Sequence, residues 1–138
     1  MNPDSMTQIT EFFKPGTTVN IATIDDGLPR VRPFQFQFES DGKLFFCTAK
    51  TKDVYNQLTK NPAIEFVATS PEYVTMRVSG KVTFTDDKNL KEKILSGNEL
   101  IKTIYQTSDN PVFTLFYLDH GSVKISTMTG EPDKYLTF

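Results

Sequence analysis

Tryptophan is absent from this 138-residue chain, and cysteine and histidine occur once each, as Cys47 and His120. A single cysteine cannot close an intramolecular disulfide, and one cysteine with one histidine cannot furnish a zinc site. His120 falls in the turn sequence Asp119-His120-Gly121 with no nucleophile or acid paired to it, so it reads as an exposed turn residue. No lysine- or arginine-rich block interrupts a net charge of −2, which argues against a broad nucleic-acid footprint. No stretch approaches the run of about twenty apolar residues that spans a bilayer. The opening MNPDSMTQITEFFKPG has neither a basic n-region nor a continuous apolar h-region. Walker-type and Gly-x-Gly-x-x-Gly phosphate loops are missing, as is the Gly-x-Ser-x-Gly elbow. The expectation is a soluble cytoplasmic protein without a metal, a membrane or a nucleic-acid partner.

What the chain does carry is phenylalanine, twelve of them, with five tyrosines. Aromatic side chains fit a pleated, half-buried surface, so their abundance favours a β-rich core. The length suits one compact domain, 1–138, able to bury roughly two-thirds of its unfolded surface without staples. Cys47 sits in the apolar run LFFCT and reads as a small buried hydrophobe.

Residues 1–17 form a helical lead-in. SMTQITEFF (5–13) sets Ile9, Phe12 and Phe13 on one face with Ser5 as N-cap, and Pro15-Gly16 stops it. In TTVNIATID, Val19, Ile21 and Thr23 alternate with Asn20 and smaller residues, and Asp25-Asp26-Gly27 signals a hairpin because Asp and Gly tolerate positive φ. A second strand runs through PRVRPFQFQFE and a third, KLFFCTAK, follows the turn signal Ser40-Asp41-Gly42, which makes a three-stranded meander.

In TKDVYNQLTKNP, the i, i+4 spacing of Val54 and Leu58 predicts a helix with Thr51 as N-cap, Asp53 in the first turn and Asn61-Pro62 as its stop. The period of two returns in AIEFVAT and YVTMRVSGKVTFTDD, where Val74, Met76 and Val78 share a face and Gly80 marks a bend or bulge. A helical stretch over 86–106, capped by Asp86 or Asp87 and broken near Ser96-Gly97-Asn98, precedes two last strands, VFTLFYL and SVKIST. The total is six or seven strands and three or four short helices. Without regular helical crossovers between strands, an antiparallel barrel with helices at its side fits better than a doubly wound parallel sheet.

One residue disturbs the second strand. Arg32 is in phase with Phe34, Phe36 and Phe38, and a charge on the buried side of a strand needs an anion. Thr48 ends the third strand and Thr51-Lys52 opens the next helix, and antiparallel neighbours can bring all of these to one end of the sheet. A guanidinium fork, a lysine point charge, a threonine hydroxyl and the free N–H groups of a helix start together make a phosphate cradle. The alternative is that Arg30, Arg32 and Lys52 are ordinary surface cations. Pro33, which cannot donate to a ladder, leaves open whether the alternation survives through Arg32.

GLPRVRPF, LFFCTAKTKDVYNQLTKNPAI and MRVSGKVTFTDD, in that order and spacing, resemble the FMN-binding split-barrel proteins related to pyridoxamine 5′-phosphate oxidase. The resemblance covers about residues 18 to 85, with a weaker echo in TGEPDKYLTF. It implies a β-rich, antiparallel split β-barrel of Greek-key type with short flanking helices, and FMN as cofactor. Gly27, Pro29 and Arg32 match the pattern Gly-x-Pro-x-x-Arg, which implies that Arg32 holds the FMN phosphate and that the backbone of Pro33, Phe34 and Gln35 runs along the flavin. Thr48 matches the threonine of an aromatic-Thr pair in which Cys47 replaces the aromatic, and Thr51 and Lys52 stand at the helix start, Lys52 at the basic position.

The departures carry information too. Gln37 stands where the oxidase has a lysine, and Thr51-Lys52-Asp53 where it has a Ser-Arg-Lys run. STMTGEPDKYLTF contains neither the arginine nor the histidine that binds the vitamin substrate. The resemblance thus implies cofactor binding more than vitamin oxidation, and it points to short relatives of general oxidoreductase or nitroimidazole-reductase type. It also implies a homodimer with the flavin at the subunit interface, with Tyr73, Thr75 and Arg77 as candidates to approach the ring from the second subunit. The expected function is an FMN-dependent oxidoreductase that passes electrons from a reduced nicotinamide to a small acceptor. The alternatives are a flavin-storing protein without turnover and a deazaflavin-binding relative.

Overall fold

The structure, a computed structural model, describes residues 3–138, with side chains from Ser5 onward. Two tight turns set its scaffold. β1 (Thr18–Asp25) and β2 (Leu28–Gln35) pair antiparallel from Thr18–Gln35 to Asp25–Leu28, joined by Asp26 and Gly27 at φ 50° and 79°. Asp41 and Gly42, at 52° and 75°, join β3 (Phe38–Ser40) to β4 (Lys43–Ala49) in the same manner. Positive φ at both central residues is the type I′ turn, whose twist matches that of the strands it connects.

Between the two hairpins the chain changes sheet. Phe36 N–H donates to Thr17 O at 2.9 Å, whereas Gln37 N–H donates to Phe45 O at 3.0 Å. The expected second strand therefore ends at Gln35, and the three-stranded meander is replaced by two hairpins in two sheets. The alternation of phenylalanines does not keep one face through this switch: Phe34 and Phe36 turn to the core between the sheets, whereas Phe38 pairs with Phe45 and turns to the opposite face of the small sheet, so the expected common phase with Arg32 ends at Phe36.

The remaining elements are α1 (Pro3–Phe12), α2 (Asp53–Lys60), β5 (Ala63–Thr69), β6 (Val74–Lys81), β7 (Thr83–Thr85), α3 (Lys88–Gly97), α4 (Glu99–Tyr105), β8 (Phe113–Leu118), β9 (Ser122–Thr127) and β10 (Lys134–Thr137). One sheet has the order β10-β9-β6-β5-β1-β2 and the other β3-β4-β8-β7, with every pairing antiparallel. Among the described residues there are ten strands in place of the expected six or seven. The expected second strand divides into β2 and β3, the long segment from Val74 divides at Val82, and β10 adds itself beside β9. Gly80 lies inside unbroken β6, and a Cβ there would stand 2.8 Å from His120 O. Its glycine serves a close backbone approach rather than the expected bend.

Helix starts also move. α1 begins at Pro3, so Ser5 is buried inside the helix and does not cap it. The N-cap of α2 is Lys52 and not Thr51, and no side chain caps its first N–H groups. Asp87 caps α3 by accepting from Leu90 N–H at 3.0 Å, and Asn98 breaks the helical stretch and caps α4 by accepting from Ile101 N–H at 3.2 Å.

The core between the sheets is built of rings. Phe46 stacks on Phe116 at 5.5 Å and meets Phe66 and Phe36 edge-on at 5.1 and 5.7 Å. Such pairs contribute about 0.5–1.5 kcal/mol beyond the area they bury. β4 is buried on both faces: Leu44 and Phe46 turn to this core, whereas Phe45, Cys47 and Ala49 turn to α3 and α4, against Ile94, Leu95 and Tyr105.

Candidate functional site

Arg32 ends a row. Across the large sheet, from β10 to β2, the paired residues on the core face are Leu136, Val123, Val78, Phe66, Ile21 and Arg32. Five apolar side chains lead to a guanidinium, so Arg32 does share the buried face with Phe34. Pro33 leaves the alternation intact because β2 is the sheet's edge strand. The bond from Phe36 N–H to Thr17 turns the N–H groups of even-numbered β2 residues toward β1 and those of odd-numbered residues outward. Proline at 33 forfeits only an outward N–H.

α2 packs against β1 at this edge through Val54, Gln57 and Leu58. Arg32 Nη1 donates to Ile21 O (3.2 Å) and to Thr23 Oγ1 (2.9 Å), and Nη2 donates to Gln57 Oε1 (2.6 Å). Thr23 Oγ1 donates to the same Gln57 oxygen at 2.6 Å. Every acceptor is neutral. Among the described residues no carboxylate forms an ion pair with Arg32. Burial lowers the Arg32 pKa and the nearby Asp53 charge works against that shift, so the group stays cationic. Of its five N–H groups, Nε–H and one on Nη2 make no bond to the described residues.

Two clefts share Arg32, Lys52 and Val54 in their walls. The larger, about 840 Å³, lies between the β1–β2 turn and α2 and is lined by Asp25, Asp26, Arg30, Asp53, Asn56 and Lys60 among others. The smaller, about 260 Å³, runs along Pro33, Phe34 and Gln35 and is lined further by Gln37, Cys47, Leu100 and Ile101. Of the residues singled out from the sequence, Arg32, Pro33, Phe34, Gln35, Cys47 and Lys52 therefore line one cleft.

Thr51 and Thr48 line neither. Thr51 is exposed in the turn before α2. Thr48 is buried opposite Thr114, on the core-facing side of β4, and its Oγ1 has no hydrogen-bond partner. A buried hydroxyl left unpaired costs about 1–3 kcal/mol. Burial pushes the Cys47 thiol up to about 12, against a weaker pull from Lys52. Cys47 is thus a neutral wall of the cleft.

Gln57 and Leu100 line the clefts and Asn98 braces them, three roles that local sequence pattern does not mark. Asn98 Nδ2 donates to Gln35 Oε1 at 3.0 Å, and Gln37 Nε2 donates to Gln35 O at 3.2 Å, which ties the α3–α4 break to the end of β2. Gln57 is a polar residue on the buried face that also holds Val54 and Leu58, and that misfit is the one cue available for it. Leu100 is 58% exposed on α4, an unsupported apolar residue beside the smaller cleft. Tyr73 precedes β6, exposed at φ 63°, and Thr75 and Arg77 lie on the outer face of the sheet, opposite to the face that carries Arg32. Among the described residues no helix is long and apolar enough to cross a membrane.

The family model described as pyridoxamine 5′-phosphate oxidase matches residues 5–125. Among solved structures, a NimC/NimA family protein from Clostridium acetobutylicum is 29% identical with a TM-score of 0.87, covering 98% of this chain and 93% of its own. General stress protein 26 from Bacillus anthracis str. Sterne is 17% identical, with a TM-score of 0.78 and coverage of 96% and 97%. A pyridoxamine 5′-phosphate oxidase-related, FMN-binding protein from Nostoc punctiforme is 19% identical, with a TM-score of 0.70 and coverage of 99% and 91%. No curated protein matches the chain. With the match spanning nearly the whole split barrel, the chain belongs to the pyridoxamine 5′-phosphate oxidase family.

Proposed function

We propose that the protein binds FMN, with the phosphate where the two clefts meet and the ring along Pro33, Phe34 and Gln35, and that it works as a cytoplasmic oxidoreductase passing electrons from a reduced nicotinamide to a small acceptor. The observation that carries this reading is Arg32: a partly buried cation whose protein partners are all neutral, with two N–H groups unused, on the wall shared by both clefts. A phosphate monoester supplies the missing charge and accepts in the fork geometry that a guanidinium offers.

The surroundings fit the group. Lys52 adds a second cation, and the uncapped start of α2 adds free N–H groups and a favourable dipole. The outward Gln35 N–H and Pro33 C=O on the edge of β2 are placed to meet the polar rim of a ring system. Asp53 opposes an anion here, and Lys52 beside it offsets that charge. When bound, the flavin supplies the electron transfer itself; the chain binds it, orients it and controls access to it. Exposed Val31 and Leu100 leave apolar surface near the site that a second copy of the chain would cover, in keeping with a homodimer that shares its flavins.

The test begins with the absorbance spectrum of the purified protein and mass spectrometry of any released chromophore. A flavin spectrum and an FMN mass are expected; a colourless protein that also fails to take up added FMN overturns the reading. A deazaflavin mass would replace the cofactor while keeping the site. Arg32→Ala should weaken FMN binding by a few kcal/mol, the loss expected when one partner of a desolvated charge pair is removed. Wild-type affinity in that variant would refute the anchor. Steady-state oxidation of a reduced nicotinamide with nitro compounds, quinones or oxygen separates turnover from storage.

A further inference from the structure

The network around Arg32 is more ordered than charge balance alone demands. Thr23 and Gln57 are both buried, at 1% and 9% exposure, and the Thr23 hydroxyl and the Gln57 carbonyl oxygen bond to each other and to the guanidinium. Arg32 Nη1 donates to Thr23 Oγ1, Thr23 Oγ1 donates to Gln57 Oε1, and Arg32 Nη2 donates to that same oxygen. The result is a closed ring of three side chains, held from a further direction by Ile21 O.

This ring settles which way the Gln57 amide is turned. A guanidinium has no acceptor, so the atom facing Arg32 must be the oxygen; a flipped amide would set NH₂ against Nη2. The NH₂ group is therefore turned away from Arg32, on a residue that lines the larger cleft, and it makes no hydrogen bond to the described residues. The ring is also neutral apart from Arg32. A carboxylate at position 57 would hold the guanidinium equally well, yet it would cancel its charge and repel an arriving anion.

We infer that Gln57 is a specificity-determining residue of the anion site. Its carbonyl oxygen, together with Thr23, positions the Arg32 fork; its amide N–H groups offer a further donor to the cleft; and its neutrality reserves the Arg32 charge for a phosphate monoester. The inference rests on the flavin reading only for the identity of that ester: by keeping the Arg32 charge available, Gln57 helps select phosphorylated flavin over riboflavin.

Gln57→Glu tests this, because it keeps the acceptor oxygens for Thr23 and Arg32 while adding a charge. Dissociation constants for FMN and riboflavin are measured on the full chain, with the melting temperature of the ligand-free protein as a folding control. FMN should bind at least about tenfold more weakly, riboflavin should change by less than about twofold, and the ligand-free melting temperature should hold or rise. Wild-type FMN affinity, or equal losses of FMN and riboflavin, would overturn the inference and leave the flavin reading standing. If Gln57→Glu does not fold, Thr23→Val is read in its place: a loss confined to FMN supports the ring, and an equal loss of both ligands or no loss overturns it. If the wild-type chain binds neither flavin, the flavin reading falls and inorganic phosphate decides the matter. A phosphate-induced rise in melting temperature that is present in wild type and absent in Gln57→Glu supports the inference; equal rises, or none in either protein, overturn it.

Discussion

The centre of the barrel and its β2 edge fill equivalent places with opposite chemistry. At the centre, Phe46 is surrounded by Phe34, Phe36, Phe66 and Phe116 and is fully buried. At the edge, the last place in the row that contains Phe66 and Ile21 is held by Arg32, with Thr23 and Gln57 around it. The difference follows from where the second sheet goes. Phe36 still bonds to the large sheet and Gln37 already bonds to the small one, and among the described residues no aromatic ring lies over the Arg32 guanidinium that ends the row. A side chain there stays in touch with a cleft. A guanidinium there is partly desolvated yet keeps N–H groups open to the cleft, where an apolar residue would bury only part of its surface. The proposed binding surface lies where the barrel leaves a row unfinished.

Perturbing each region should separate the two. Phe46→Ala should cost about 3–5 kcal/mol, because a ring is removed from a place with no room to relax. Urea denaturation would show it as a lower midpoint at unchanged slope; a loss below about 1 kcal/mol would mean that the centre is loosely packed. Arg32→Met continues the apolar row and should shift the ligand-free stability by less than about 1 kcal/mol while removing phosphate-dependent FMN binding. A stability loss as large as that of Phe46→Ala would merge the edge with the core.

Cys47 lies between the regions, a wall of the cleft on a strand buried on both sides, and should give the smallest effect. Its folded pKa is raised to about 12, above the ordinary thiol value, so its contribution to stability is complete below that ordinary value and fades as pH climbs toward about 12. Cys47→Ala should flatten that alkaline decline. In the wild-type protein, thiol labelling near neutral pH should proceed only as fast as the chain opens; rapid labelling of the native state would place Cys47 in the accessible region instead.

Much of this architecture is legible in local chemistry. Asp26-Gly27 and Asp41-Gly42 sit at the two I′ turns, and Asn98 breaks the helical stretch where Ser96-Gly97-Asn98 signals it. The phase of Arg32 is legible too, since alternation needs no knowledge of partners. What escapes is set by distance. Thr23, Arg32 and Gln57 are separated by 9, 25 and 34 positions pairwise, so their ring exists only after β1, β2 and α2 have met. The switch at Phe36 and Gln37 escapes for the opposite reason: Phe34, Phe36 and Phe38 keep one period in the sequence, yet the change of backbone partners turns Phe38 to the other face. Lys52 takes the cap position from Thr51 because β4 runs on through Ala49 and leaves a turn of Lys50 and Thr51 before the helix starts.

The two prolines of β2 have a consequence beyond ligand binding. Pro29 and Pro33 are both odd-numbered, so both withdraw an N–H from the outer edge, where only Val31 and Gln35 remain to donate within Leu28–Gln35. An extended segment of another chain cannot lay a continuous ladder on such an edge. The cleft side of β2 thus stays open to the proposed ligand while its edge refuses to seed growth of the sheet, which protects an otherwise unpaired strand from aggregation.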